Sequence, residues 1–515
     1  MSETKKRFKM PTSYTIVFFA LVITAILSYI VPQSVFDKEA GSIVFNAAFG
    51  EHGEIIRGVG LRPFGFWDVL MAPIQGFQAA SDVAVGILCA GGFLNVLNHV
   101  GALDAGIGRI LERFEGNILI AVMMFIFAVL GTSFGFWEEI TAFSVVIVPM
   151  FVLAGYDVMT GLGVLFIGAT IGNMSSLVNP FSTGAAVAAI GNPDLTIGSG
   201  IVLRSIIFLA LYVVGTMLMI RYASRVKKNP EKSVLADCEG VNTLVDKNES
   251  LPEFTTQRKW SALVLILIVV VIILGYFPWE EIAGVGVANA VNSPFTALAK
   301  VPVLGSILGA GHVSRLGTWG FNEFAFLFVL GAFLLKFINK MSETEFLDVF
   351  IDGMKDLFGV VVVLAIARGI AIIMGSSSEG MSITFIYWIS GALSAVPTWV
   401  FGLFAIASYV LIGVFLQSTS GVAGISMPIL GAVASAVFAA SAIGESGGQI
   451  ILISAFVAGI NFMAAIYPSA TLMGTLEFVN VPYDKYLKFT LRILSVLLIV
   501  AAVIISVASA VGFVK

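Results

Sequence analysis

An all-α integral membrane protein of roughly 10–12 transmembrane helices follows from three observations. The chain has 515 residues, of which 58% are hydrophobic and only 12% charged, where a soluble domain carries about 25% charged residues. Apolar runs of about 20 residues recur from end to end, each long enough to cross a hydrocarbon core. Polar landmarks interrupt those runs in the same order in both halves, which reads as internal duplication.

The N-terminus carries Lys5, Lys6, Arg7 and Lys9, followed by an apolar run over 13–31 and then Pro32-Gln33-Ser34. No small-x-small cleavage site follows the run, so residues 1–32 are read as an uncleaved first helix. A first repeat is expected over 64–221, a polar linker over 222–259, connecting helices over 260–340 and a second repeat over 344–515. The linker holds Arg225, Lys227, Lys228, Lys232 and Lys247; Lys336, Lys340, Lys485 and Lys488 form further basic clusters. By the positive-inside rule these clusters and the N-terminus face the cytoplasm, and the loops over 33–63 and 278–318 lie outside. One crossing precedes the first repeat, and two (260–277 and 319–338) separate the linker from the second. The repeats are therefore expected to be inverted, a common plan of secondary transporters. Segments 66–80 and 346–357 are amphipathic and could be interfacial, as could Gly101–Glu115 with Arg109, Glu112 and Arg113.

The landmarks pair as follows. Phe66-Trp67-Asp68-Val69 matches Phe346-Leu347-Asp348-Val349, and Thr132-Ser133-Phe134-Gly135 matches Ser418-Thr419-Ser420-Gly421. Pro149 and Pro428 come next. Asn173-x6-Pro180-x2-Thr183 then matches Asn461-x6-Pro468-x2-Thr471. Polar, flexible backbone at membrane depth is tolerated only where protein buries it or a wet cavity borders it. Residues 132–149 and 417–428 are thus expected to be re-entrant hairpins, each followed by a helix broken at its proline. A broken helix presents carbonyls and half-helix dipoles that hold a cation or an anionic group. The competing reading is that Ser, Thr and Gly merely let helices pack closely and the prolines merely kink them.

Three charges break the symmetry: Glu138 and Glu139 beside the first hairpin's Gly135, and Arg368 in the apolar run 360–374. A charge at the bilayer centre costs about 2.5–3.5 kcal/mol on insertion scales and usually faces a cavity or a partner. A guanidinium grips a carboxylate and a carboxylate holds an ammonium or guanidinium, so the set suits an amino acid with a cationic side chain. Two alternatives stay open. Arg368 and one Glu neutralise each other structurally, or one Glu carries a coupling proton. Substrate contacts are expected from Glu138, Glu139, Arg368, Ser133, Asn173, Ser418, Thr419, Ser420 and Asn461.

Several classes are excluded or disfavoured. The net charge of −4 gives no footing for nucleic acid. Cys89 and Cys238 read as free thiols, and His52, His99 and His312 lack metal-ligand spacing. Gly131-Thr132-Ser133-Phe134-Gly135 fits G-x-S-x-G, but among apolar helices and without a later histidine in that half it lacks the context of a nucleophile elbow. No dinucleotide fingerprint or phosphate-binding loop is present, so no cofactor is expected. The chain is read as a transporter rather than an enzyme, with a channel as a further alternative.

The opening Lys6-Arg7-Phe8-Lys9-Met10-Pro11-Thr12-Ser13-Tyr14-Thr15 and the hairpins Ser133-Phe134-Gly135-Phe136-Trp137-Glu138-Glu139 and Gln417-Ser418-Thr419-Ser420-Gly421 resemble one family. It is that of the YfcC/ArcD-type carriers, within the C4-dicarboxylate anaerobic carrier-like group of the ion-transporter superfamily. The resemblance spans nearly the whole chain. It implies a bacterial inner-membrane carrier with scaffold and transport domains, working as an elevator in a homodimer. Its substrates would be basic amino acids exchanged in the arginine/ornithine manner; the alternative is sodium- or proton-coupled carriage of dicarboxylates or other organic anions. It points to Thr132, Ser175, Ser176, Asn173 and Asn461 as ligands for a coupling sodium. Sodium-coupled members carry Ser-Asn-Thr tips, however, where this chain has Gly131-Thr132-Ser133 and Ser418-Thr419-Ser420. Two carboxylates beside a dianion would repel it, which favours the basic amino acids.

Overall fold

The computed structural model describes residues 13–514 apart from 38–39, 41, 51, 103–104, 106–115, 239, 242–252, 277–278, 302, 308, 320, 376–378 and 417. Lys5, Lys6, Arg7, Lys9, Arg109, Glu112, Arg113, Lys247 and Gln417 therefore lie outside the described residues. The chain is nearly all helix, because backbone in lipid must satisfy its own polar groups.

The helices are α1 (Ser13–Leu27), α2 (Phe66–Ala79), α3 (Ser81–His99), α4 (Gly116–Phe134), α5 (Ile140–Leu153), α6 (Val158–Ser175), α7 (Ala185–Ile190) and α8 (Ile201–Lys228). After the linker come α9 (Thr256–Tyr276), α10 (Trp279–Ala299), α11 (Leu304–Ile307), α12 (Phe321–Asn339) and α13 (Glu343–Met374). The chain ends with α14 (Met381–Leu393), α15 (Thr398–Phe415), α16 (Thr419–Phe438), α17 (Gly444–Ala464), α18 (Ala470–Phe478) and α19 (Tyr483–Val511). Short strands gather at one end of the bundle. β1 (Ser34–Asp37) pairs antiparallel with β2 (Ser42–Val44) and with β5 (Glu379–Gly380), and β3 (Ala47–Phe49) pairs with β4 (Ile55–Arg57).

Polar contacts fix which helix ends lie together. At the linker end, Ser224 bonds to Asn117 at the start of α4, and Lys227 Nζ donates to the Ala154 carbonyl just past α5. Arg258 Nε reaches the Val100 carbonyl, His99 meets Glu345, and Lys485 meets Asp237. At the strand end, Ser34 meets Thr384, Ser509 Oγ donates to the Thr398 carbonyl at the start of α15, and Asn192 reaches Ser446 and Gln449. Gln449 in turn donates to Ser435 near the end of α16.

These ends show that α4–α5 enters and leaves at the linker end, and α15–α16 at the strand end. They are two hairpins pointing at each other. Among the described residues, nine helices are long and apolar enough to span, and α2 with α3 forms a further span bent by 63°. Three of the nine (α4, α15 and α16) are hairpin arms, which leaves six spanning helices beside the bent pair. The amphipathic segment over 346–357 is the first half of continuous α13, not a separate interfacial helix. The segment over 278–318 holds α10 and α11 rather than an open loop, with a kink at Gly284 (φ +85°).

Two groups of helices pack together. α13 lies along α1, α2 and α3, with α12 beside α3 and α9 against α12. The close approach of α13 to α2 and α3 runs through glycines: a side chain at Gly76 would strike the Ala365 carbonyl, and one at Gly353 the Gly91 carbonyl. The other group holds both hairpins, the broken helices α6 and α17, and α8 and α19. The groups meet along α13–α18, α3–α5 and α1–α18.

Candidate functional site

The site forms where the two breaks meet. α6 stops at Ser176, whose φ of +42° and ψ of +61° are left-handed, an uncommon conformation for a residue other than glycine. Pro180 then cannot donate a backbone hydrogen bond, and the chain resumes as one π-turn over Pro180–Gly184 before α7. Neighbouring residues satisfy the groups freed by the stop. Leu177 N donates to Thr132 Oγ1 (2.8 Å) and Val178 N to the Thr132 carbonyl (3.2 Å). Asn173 Nδ2 donates to the Phe136 carbonyl (3.1 Å), and Asn179 Nδ2 lies 3.4 Å from both Asn173 Oδ1 and the Gly131 carbonyl. Ser176 shares hydrogen bonds with Ser182 and with Thr183 (2.8 Å), and Thr183 Oγ1 donates to the Ser176 carbonyl (2.6 Å). Thr132, Asn173, Ser175 and Ser176 are all buried.

The second half joins directly. α17 crosses α6, and Asn461 Nδ2, on a residue 8% exposed, donates to the Asn173 carbonyl and to the Val457 carbonyl, both at 2.9 Å. The sequence-matched asparagines of the two halves therefore touch. Each hairpin's second arm also lies against the short helix beyond the other half's break: α16 on α7, and α5 on α18. Thr141 and Thr475 make the latter contact, hydroxyl to hydroxyl at 2.9 Å.

The second tip is more open. Ser418 caps α16 by accepting from Gly421 N (3.2 Å); Ser418 and Ser420 are exposed and Thr419 half-buried. Ser133 is half-buried at the end of α4. The structure thus brings Thr132 onto Ser175 (3.4 Å) and Asn461 onto Asn173, with Ser176 bonded separately to Ser182 and Thr183, while Ser133 and Ser418–Ser420 border these contacts without a hydrogen bond into them among the described residues.

The charges sit on the first tip. Arg368 Nη2 of α13 stands 3.6 Å from Glu138 Oε1, and the two side chains are 39% and 35% exposed. This pair bridges the two helix groups. At that exposure it contributes about 0–1 kcal/mol to folding. Glu139 is 7% exposed. It accepts from Trp137 N (3.2 Å) and has no cationic side chain within 4.0 Å among the described residues.

The residues expected to hold sodium at the first break are hydrogen-bonded to one another and to backbone. Ser175 Oγ donates to the Ile171 and Gly172 carbonyls, Ser176 is committed to Ser182 and Thr183, and Asn173 Oδ1 faces Asn179. The described residues hold no cluster of His, Cys, Asp and Glu fit for a metal. Sequence reasoning missed Asn179, although it adjoins the landmark Pro180. It also missed Thr141 with Thr475, and Arg204, which is 0% exposed. Arg204 is only four residues from Gly200 at a helix start, where an arginine reads as a surface residue; its burial is a tertiary fact.

The chain is similar to several known proteins. The chain is 26% identical, over 99% of both chains, to the Escherichia coli K12 protein named "Putative basic amino acid antiporter YfcC". It is 25% identical, over 98% of both chains, to an uncharacterized protein of Haemophilus influenzae Rd. A solved structure, the YdaH transporter of Alcanivorax borkumensis, aligns over 98% of this chain and 99% of its own with a TM-score of 0.40 and 16% identity. The family profile described as "C4-dicarboxylate anaerobic carrier" (DcuC) matches residues 10–510, and the chain belongs to that family of membrane transporters.

Proposed function

We propose that this protein is a secondary carrier that exchanges basic amino acids of the arginine and ornithine type across a bacterial inner membrane, with the basic linker end and the N-terminus in the cytoplasm. The observation that carries this reading is the first hairpin tip: the Arg368 guanidinium stands 3.6 Å from Glu138, and Glu139, buried, is the next residue along the tip. A basic amino acid presents the same two charges. Its α-carboxylate can take Glu138's place on Arg368, and its side-chain cation can take Arg368's place on Glu138. Glu139 supplies the second carboxylate for a net positive ligand. The relative named as a basic amino acid antiporter supports the substrate class. The helix group holding both hairpins is the moving body of an elevator, and the Arg368–Glu138 contact lies on its sliding surface.

A second reading, carriage of C4-dicarboxylates, is favoured by Arg368 itself and by the family's name. A thermal-shift screen of the purified protein against arginine, ornithine, lysine, succinate and fumarate separates the two. Stabilisation by arginine and ornithine supports the first reading; stabilisation by succinate or fumarate alone refutes it.

A further inference from the structure

Among the described residues Arg204 is the largest fully buried side chain, 0% exposed, and no carboxylate lies within 4.0 Å of it. It occupies the first turn of α8, where the helix dipole opposes a positive charge. Its guanidinium is instead surrounded by backbone oxygens. Nη1 donates to the Ser199 carbonyl (2.7 Å), and Nη2 donates to the Ile197 (2.8 Å) and Leu177 (3.3 Å) carbonyls; Nε has no partner. Gly200, at φ +75°, leaves room for it: a side chain there would meet Arg204 Nη1 at 3.2 Å and Ile450 at 2.4 Å.

Leu177 is the first residue past the left-handed stop of α6, so its carbonyl belongs to the first break. The second break repeats the arrangement. Ala465 lies four residues beyond Asn461, as Leu177 lies four beyond Asn173. Its carbonyl accepts from Tyr486 Oη at 3.1 Å. Tyr486 is the fourth residue of α19, as Arg204 is the fourth of α8. The same position of the next long helix, beyond the short α7 or α18, thus holds the same carbonyl in both halves, with a fixed cation in one and a neutral phenol in the other.

Carbonyls at a half-helix end coordinate mobile cations in transporters built on this plan. We propose that Arg204 is the built-in cation of the first break. It is a positioning residue that supplies the positive charge the carbonyl end of α6 requires, and it leaves that break no place for sodium. The network of Thr132 and Asn173 is then held in shape without a bound metal. The inference concerns the same site as the exchange reading but does not depend on which substrate is carried.

The test uses sodium alone. Melting temperatures of the purified full chain and of Arg204→Gln are compared in sodium chloride and in N-methylglucamine chloride at equal ionic strength. Arg204→Gln keeps a donor and loses the charge. Its sodium-minus-N-methylglucamine difference in Tm should exceed the parent's by about 2 °C or more, because sodium binding then stabilises the emptied carbonyl site. Equal differences in parent and variant would overturn the proposal. Arg204→Lys keeps the charge and serves if the glutamine variant does not fold. It should show the parent's sodium difference and retain the parent's arginine affinity within about threefold, since it keeps the charge though not the guanidinium fork. A tenfold loss of affinity, or a sodium difference larger than the parent's, in the lysine variant would equally overturn it. Failure of every amino acid to bind the parent would count against the exchange reading and would leave the sodium comparison readable.

Discussion

Replacing Gly172 with alanine puts a methyl carbon 2.0 Å from the Ala128 carbonyl oxygen and 2.7 Å from the Thr132 amide nitrogen. Both are backbone atoms of α4, so no side chain can turn aside. To reach ordinary contact, α4 and α6 must separate by about 1.4 Å. That shift pulls Thr132 Oγ1 from Leu177 N, now 2.8 Å away, and the Phe136 carbonyl from Asn173 Nδ2, now 3.1 Å away. Overpacking costs about 1–3 kcal/mol, and a buried polar group left unpaired about 1–3 kcal/mol. Together these cost about 2–6 kcal/mol. Alanine's better helix propensity works the other way by about 1 kcal/mol. Gly424 on α16 is the control, because a Cβ there meets nothing within 4 Å. Scanning fluorimetry of the purified variants should show Gly172→Ala melting at least about 3 °C below the parent, and Gly424→Ala at or above it. Gly172→Ala melting with the parent would refute the reasoning that α4 and α6 are packed backbone to backbone at the break.

Asn461→Ala removes the bond to the Asn173 carbonyl and leaves that buried oxygen unpaired; it should cost about 1–3 kcal/mol, read as a lower Tm. Glu138→Gln leaves stability within about 1 kcal/mol but should weaken arginine binding at least tenfold by calorimetry, with Arg368→Lys weakening every carboxylate-bearing ligand. Cysteines placed at 141 and 475, in a background lacking Cys89 and Cys238, should form a disulfide on mild oxidation, because the threonine hydroxyls there stand 2.9 Å apart; a pair that never cross-links contradicts the contact between α5 and α18.

Much of this arrangement was legible because membrane insertion makes polar breaks conspicuous. Asn173 and Asn461 stood out in apolar runs, and the structure places them in contact. Basic clusters in the linker and around Lys336 and Lys485 marked one end of the bundle, where Asn339 meets Ser261 and Lys485 meets Asp237. Hidden features had other causes. Arg204 and Tyr486 each occupy a helix's first turn, where a polar residue ordinarily faces water, and their roles depend on carbonyls distant in sequence. The strands over 34–57 are three or four residues long, too short for an alternating pattern to register. Whether α4–α5 spans or doubles back was not encoded in hydropathy, since α4 alone is long enough to cross; only the contacts of Asn117 and Ala154 decide it.

The most direct measurement is counterflow in proteoliposomes. Purified protein, with ornithine loaded inside, should take up labelled arginine saturably and above its outside concentration, and this accumulation should vanish in vesicles loaded without a countersubstrate and in those carrying Glu138→Gln. Uptake that does not saturate, or that the loaded ornithine leaves unchanged, would contradict exchange of basic amino acids at the site between the two breaks.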